Sequence, residues 1–377
     1  MEVRTVAEIN SYQTVIINPM EQPDQTFELY SVPSFDNQHP EIIKGSEIGS
    51  TKVAVEEGDV LICKINPRIN RVWVVKHFTE YPLLASSEWI VVRNREIESS
   101  YLKWYFSSPT FRNLITSQVA GIGGSLTRAQ PKQVAKYPVP IPEKSEQKRI
   151  VFILDKVSNL ISLRKQQLAK LDELVKSRFV ELFGDIPGEE KVMMADICKI
   201  ITDGTHQPPQ FVKTGIPFLF VSNIVTNEIH YDAEKFISEE TYSELIKRTP
   251  IEIGDILLST VGSYGHPAIV KSDKPFCFQR HIAYLKPDAT VVNSEYLRGA
   301  ILSADVQRQI DERVKGIAQK TLNLSEIRKL QLPLPSMEQQ EQFAAFVKQI
   351  DKSKVAVQKA LDEAQLLFDS LMQKYFG

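Results

Sequence analysis

The stretch PVPIPEKSEQKRI that begins at Pro138 returns as LPLPSMEQQEQF from Leu332. Shifting the chain by 193 positions places Pro140 and Pro142 on Pro333 and Pro335, Gln147 on Gln340, Leu168 on Leu361, and Phe183-Gly184 on Phe376-Gly377, with no gap. The echo continues upstream with small slips. EGDVLIC at Glu57 answers IGDILLS at Ile253, YLKWYFSSPTFRNLI at Tyr101 answers YLRGAILSADVQRQI at Tyr296, and AEI at Ala7 answers ADI at Ala195. Solenoid repeats have periods of ~20–50 residues, so this spacing is that of a domain. The chain is two large equivalent halves, and whatever folds one must fold the other.

Each half closes on a helical pattern. Ile150, Leu154, Val157, Ile161, Leu168, Leu171, Val175 and Leu182 fall on steps of three, four and seven, and Phe343, Val347, Ile350, Val357, Leu361, Ala364, Phe368 and Leu371 form the matching seam. That is an a/d seam over about five heptads, with Lys, Gln, Asp and Glu on the other faces. The proline pairs precede each helix, where a missing N–H does no harm, and Ser145 and Ser336 are candidate N-caps. Helices of about 40 residues would be ~60 Å long and need a partner along most of that length. A seam of that length overhangs a single globule, so the expected partner of each helix is the other, running antiparallel. Arg164, Arg178 and Lys354 interrupt the seam and leave positions there for solvent or another subunit.

The remaining segments, about 1–140 and 186–335, mix short β-rich runs with a helix near Tyr101 and another near Tyr296. KVAVEEGDVLIC, RVWVVKHF and WIVVR read as strands in the first, IPFLFVSNIV, DILLST and HPAIVK in the second. Gly58 and Gly254 supply turn chemistry before a strand. FGDIPGEE at Phe183 reads as a linker. The expected fold class is α+β, ordered as globule (1–140), long helix (141–185), globule (186–335) and long helix (336–377).

With 45 Lys and Arg against 47 Asp and Glu, the net charge of −2 gives no global attraction to nucleic acid or membrane, so any such binding must be local. Cys63, Cys198 and Cys277 are too few and too scattered for a disulfide framework or zinc set, and a reducing cytoplasm is expected. No basic and apolar leader opens the chain, and no run nears ~18 apolar residues, so neither secretion nor membrane spanning is expected.

The order globule, helix, globule, helix, the proline pairs, the start SEQKRIVFILDKV, and the helix ends LFG and YFG together resemble the specificity subunit of type I restriction–modification enzymes. ITDGTHQPPQFVKTGIPFLFVSNI in the second globule is similar to a stretch common at the start of that family's target recognition domains. The resemblance spans the whole chain. It implies a subunit that reads a bipartite target in double-stranded DNA, one half-site per globule, with the paired helices setting the gap and docking two methyltransferase subunits. Catalysis would belong to those partners and to restriction subunits. S-adenosylmethionine, ATP and Mg are expected on them, with no cofactor or metal in this chain.

The residues offer side chains suited to DNA. In CKINPRINRVW, Lys64, Asn66, Arg68, Asn70 and Arg71 crowd an expected loop between two strands, the arginines suited to phosphates or guanine edges and the asparagines to adenine. GIGGSLTR ends in Arg128, and its glycines permit close backbone approach to a phosphate. The answering loops of the second half carry Ser263, Tyr264 and His266 in STVGSYGHPAIV, Gln279 and Arg280 in CFQRHIAYL, and Lys315, Gln319 and Lys320 in RVKGIAQKTLN. Equivalent positions bearing different side chains are what two different half-sites require.

Enzyme signatures are missing. There is no G-x-x-x-x-G-K-[ST] loop, no Gly-rich dinucleotide fingerprint and no N/D-P-P-[YF] methyltransferase motif, since Pro208-Pro209 lacks the leading Asn or Asp. Asp203 and His206 of DGTH have no further His or carboxylate spaced to complete a metal or catalytic set. A non-enzymatic coiled-coil adaptor whose globules bind protein is the competing reading, supported by the near-neutral charge.

Overall fold

The computed structural model describes residues 2–117, 119–120, 127–184, 191–316 and 319–377, so most of the GIGGSLTR stretch and of the FGDIPGEE linker lies outside the described residues. The chain divides into two compact units, Met1–Lys165 with Lys359–Gly377, and Gln166–Gln358.

In the first unit the proline-rich phrase is itself a strand. Pro138–Ile141 pairs antiparallel with Glu2–Thr5, tying the start of the chain to the foot of the long helix. A two-stranded ribbon tolerates the prolines because each strand keeps an unpaired edge. A five-stranded sheet follows the order Ile16–Ile17, Lys52–Ala54, Leu83–Ser86, Thr26–Tyr30, Glu41–Lys44, and a three-stranded sheet the order Val72–Val74, Val60–Cys63, Trp89–Val92. One helix was expected near Tyr101, but two form, Ser99–Ser107 and Pro109–Ser117. Pro109 cannot continue the first helix, and Ser108 Oγ accepts from the Phe111 N–H at 3.2 Å.

The second unit repeats the plan. Lys191–Met193 pairs antiparallel with Gln331–Pro333, a four-stranded sheet runs Cys198–Asp203, Ile282–Pro287, Ile256–Ser259, Pro267–Ile269, and a three-stranded one runs Phe236–Ile237, Ile216–Leu219, Cys277–Phe278. Ser303 caps the second of its two consecutive helices, Ser294–Ile301 and Ala304–Arg313.

Gly58 (φ 89°) and Gly254 (φ 97°) occupy the left-handed region ahead of the strands Val60–Cys63 and Ile256–Ser259. The aspartate after each glycine closes its turn. Asp59 Oδ2 accepts from Glu56 N at 2.9 Å and Asp255 Oδ2 from Glu252 N at 2.7 Å. Both aspartates are buried; Arg93 holds Asp59 through two 2.7 Å bonds, whereas Asp255 meets Tyr284 Oη at 2.7 Å and Lys286 at 3.5 Å. A buried carboxylate needs such donors.

The long helices are Lys144–Phe183 and Met337–Phe376, 40 residues each. Within the first unit, Ile150 and Leu154 share a core with Met372 and Phe376. Within the second, Phe179 and Phe183 share one with Phe343 and Val347. The start of one helix meets the end of the other in each unit, so they run antiparallel. Val157, Leu168, Leu171, Val175, Leu361, Phe368 and Leu371 are half-buried and Ile161, Ile350, Val357 and Ala364 are buried, while off-seam Leu163 and Leu366 are 60% and 73% exposed. Lys354 does not leave its seam position to solvent; it pairs with Asp172 of the facing helix. Ser336 caps its helix: its Oγ donates to Gln339 Oε1 at 3.1 Å and accepts from the Gln339 N–H at 3.4 Å, while the Ser336 N–H donates to Gln339 Oε1 at 3.2 Å. Ser145 lies inside the first turn rather than at the cap, because the helix begins at Lys144 and Glu143 supplies the first carbonyl.

Candidate nucleic-acid interface

In the first unit, two segments far apart in sequence are joined by backbone hydrogen bonds. Asn66 N–H donates to Thr127 O and Ala129 N–H to Lys64 O, each at 2.9 Å. The second unit repeats both bonds at the equivalent places: Gly262 N–H to Lys320 O at 3.1 Å and Leu322 N–H to Thr260 O at 2.8 Å. Each unit thereby sets described residues of its sequence-predicted loops side by side, 64–66 with 127–129 and 260–262 with 320–322.

A third segment completes each cluster. The Lys64 N–H donates to Glu88 O at 2.9 Å, and the Thr260 N–H to His281 O at 3.0 Å. Glu88 and His281 were not singled out from sequence, although the 193-residue shift aligns them. A cavity of about 450 Å³ lies against Thr260, Arg280, His281 and Gln319 at the second junction, whereas one of about 470 Å³ in the first unit reaches Lys64 but is lined mainly by the segments around Asn10, Lys52 and Trp89.

The loop after Cys63 is a short 3-10 turn, Pro67–Ile69, flanked by Asn66 (φ 45°) and Asn70 (φ 49°), and asparagine is among the few residues that tolerate this region. Arg68 points outward and Lys64 is half-buried. Arg71 is 17% exposed and lies 4.0 Å from Asp36. Arg128 is 58% exposed and pairs with Glu88 at 3.1 Å.

In the second unit Ser263, Arg280, Lys315, Gln319 and Lys320 are exposed and Gln279 is half-buried. Tyr264 Oη donates to Asp311 at 3.0 Å, with Lys320 Nζ 5.9 Å from its ring. His266 turns inward, Nδ1 3.3 Å from Asn227 Oδ1, and burial lowers its pKa. Asp203 is held by Arg248 at 2.5 Å and His206 at 2.9 Å. Among the described residues no three His, Cys, Asp or Glu side chains converge as metal ligands, and no helix is long and apolar enough to cross a membrane.

The family described as "Type I restriction modification DNA specificity domain" matches residues 2–173 and 189–364. Curated relatives include the Type I restriction enzyme EcoBI specificity subunit of Escherichia coli, 24% identical over 316 residues, covering 74% of this chain and 66% of the relative. The MjaVIII specificity subunit of Methanocaldococcus jannaschii is 21% identical over 342 residues, covering 83% of this chain and 79% of that one. The chain thus spans about two thirds of the E. coli relative's length. Among solved structures, a chain of a type I R-M system aligns with TM-score 0.59 at 17% identity, covering 100% of this chain and 97% of that one. The S subunit of a type I restriction–modification system from M. genitalium aligns with TM-score 0.56 at 12% identity, covering 100% and 96%. These two share its fold.

Proposed function

We propose, for a chain that belongs to the family of type I restriction–modification specificity subunits, that each globular unit reads one half-site of a bipartite double-stranded DNA target. The long helices then act as spacer and docking surface for two methyltransferase subunits, with restriction subunits joining the complex. The chain is non-catalytic, as specificity subunits are. S-adenosylmethionine, ATP and Mg belong to the partners' chemistry.

The observation that carries this reading is the duplicated loop junction. Identical backbone hydrogen bonds present different side chains in the two units: Lys64, Arg68 and Arg128 in one, Ser263, Arg280 and Lys320 in the other. A conserved frame with divergent tips suits two unlike half-sites better than a repeated protein-binding surface. Cationic tips supply phosphate contacts although the whole chain is near neutral.

The test is Arg68→Ala with Arg71→Ala. DNA affinity should fall and the salt dependence flatten, with one half-site relaxed and assembly with the methyltransferase intact. Unchanged affinity and an unchanged methylation target would remove this loop from the interface. Arg71→Ala should also cost some stability, because Arg71 is largely covered and sits beside Asp36.

A further inference from the structure

Folded proteins leave few buried polar atoms without hydrogen bonds. Among the described residues, Asn66 Oδ1, both amide atoms of Asn70, Arg71 Nε and Glu88 Oε2 are buried with no hydrogen-bond partner. These atoms come from the 64–71 loop and from Glu88, whose carbonyl is bonded to that loop at Lys64; Tyr231 Oη, Glu295 Oε2 and Arg298 Nε are further cases in the second unit. Glu88 Oε2 has an ion-pair partner, Arg128 Nη1 at 3.1 Å, but Arg128 is 58% exposed and able to leave for a phosphate or guanine. What remains is a carboxylate acceptor beside the cationic 64–71 loop. A carboxylate repels phosphate, so its complement on DNA is an amino group on a base edge. In the second unit His281 holds the equivalent backbone bond, and Arg280 Nε donates to its Nε2 at 3.3 Å. That arrangement places the ring proton on Nδ1 and makes the free edge a donor. Burial, then Arg280, lowers the pKa of this histidine, which favours the neutral ring.

We propose that positions 88 and 281 are paired specificity-determining positions. Glu88 accepts from the exocyclic amino group of cytosine or adenine in one half-site, and His281 donates to an acceptor edge of guanine or thymine in the other. The inference rests on the DNA-reading function proposed above. The two halves use one backbone position with opposite hydrogen-bonding character, which is how one frame comes to read two sequences.

The experiment measures binding of the assembled complex of this chain and its methyltransferase subunits to duplexes varied one base pair at a time, for wild type, Glu88→Gln, Glu88→Asp and His281→Phe. Glu88→Gln should lose about ten-fold discrimination at one position of one half-site, Glu88→Asp should retain the preference, and His281→Phe should relax one position of the other half-site only. Uniform weakening across all duplexes would assign both side chains a structural role and overturn the proposal, as would unaltered discrimination. A wild-type complex that shows no bipartite preference would instead overturn the underlying DNA-reading function.

Discussion

Gln147 Oε1 accepts from the backbone N–H of Glu98 at 3.0 Å, while its Nε2 donates to Pro142 O at 2.9 Å. Gln340 makes the same two bonds in the other unit, to Asn293 N at 2.8 Å and Pro335 O at 2.9 Å. The repeated phrase therefore contains a buried clasp, with Gln147 3% and Gln340 1% exposed, that fastens the foot of a long helix to the start of a short helix of its globule. The tyrosine of that short helix fastens it again, Tyr101 Oη to Pro140 O at 2.8 Å and Tyr296 Oη to Pro333 O at 2.5 Å. Gln147→Leu preserves volume but strands a donor and an acceptor, so it should cost about 2 kcal/mol. Thermal unfolding should shift down by several degrees. A change within the scatter of the measurement would show that the clasp contributes nothing.

The halves differ where Trp104 of one answers Gly299 of the other. Trp104 Nε1 donates to Asp155 at 2.9 Å and its ring packs 5.5 Å from Phe368. A Cβ on Gly299 would come within 2.8 Å of the Phe179 ring and 2.9 Å of the Phe343 ring, both buried. Gly299→Ala should destabilise the second unit despite the helix-propensity gain of ~1 kcal/mol, because both rings must shift to admit the methyl and such overpacking costs ~1–3 kcal/mol. Adding Phe343→Leu, which removes one of the two rings the methyl meets, should cost less in the Gly299→Ala background than alone, read in a denaturant titration. A Gly299→Ala protein more stable than wild type would contradict this packing.

Glu295 carries a pH signature. Burial raises its pKa, opposed by Lys271 and Arg298 and reinforced by Asp351 and Glu228. A raised carboxyl pKa means the folded state holds the proton more tightly than the unfolded chain. The group's contribution is therefore full below the ordinary glutamate value of ~4.3 and is lost as pH rises through the folded value. Glu295→Gln should flatten that fall in stability, read as urea midpoints across the acidic to neutral range. An unchanged slope would show that Glu295 titrates as an exposed residue.

The long-range plan was legible because hydrophobic period and repetition are sequence properties. The seam from Ile150 to Val175, the strands after Gly58 and Gly254, and the pairing of the two helices all follow from residues whose spacing repeats. The strands Thr26–Tyr30 and Glu41–Lys44 escaped notice, since they lie a different length of chain apart from their counterparts Ile216–Leu219 and Phe236–Ile237, and in both halves the first of the pair joins a distant parallel strand. Glu88 was missed for a related reason. Its position is set by a backbone bond to Lys64 and an ion pair to Arg128, and neither leaves a local pattern. Asn66 and Asn70 looked like base-reading side chains, yet the structure first assigns them to left-handed backbone positions that shape the turn presenting Arg68.

The most direct test of the central claim is to map methylated bases genome-wide in cells expressing this chain with the methyltransferase subunits proposed as its partners. The account predicts a single bipartite motif, two unlike short half-sites separated by a gap of fixed length. A contiguous motif, or no methylation from an assembled complex, would contradict it.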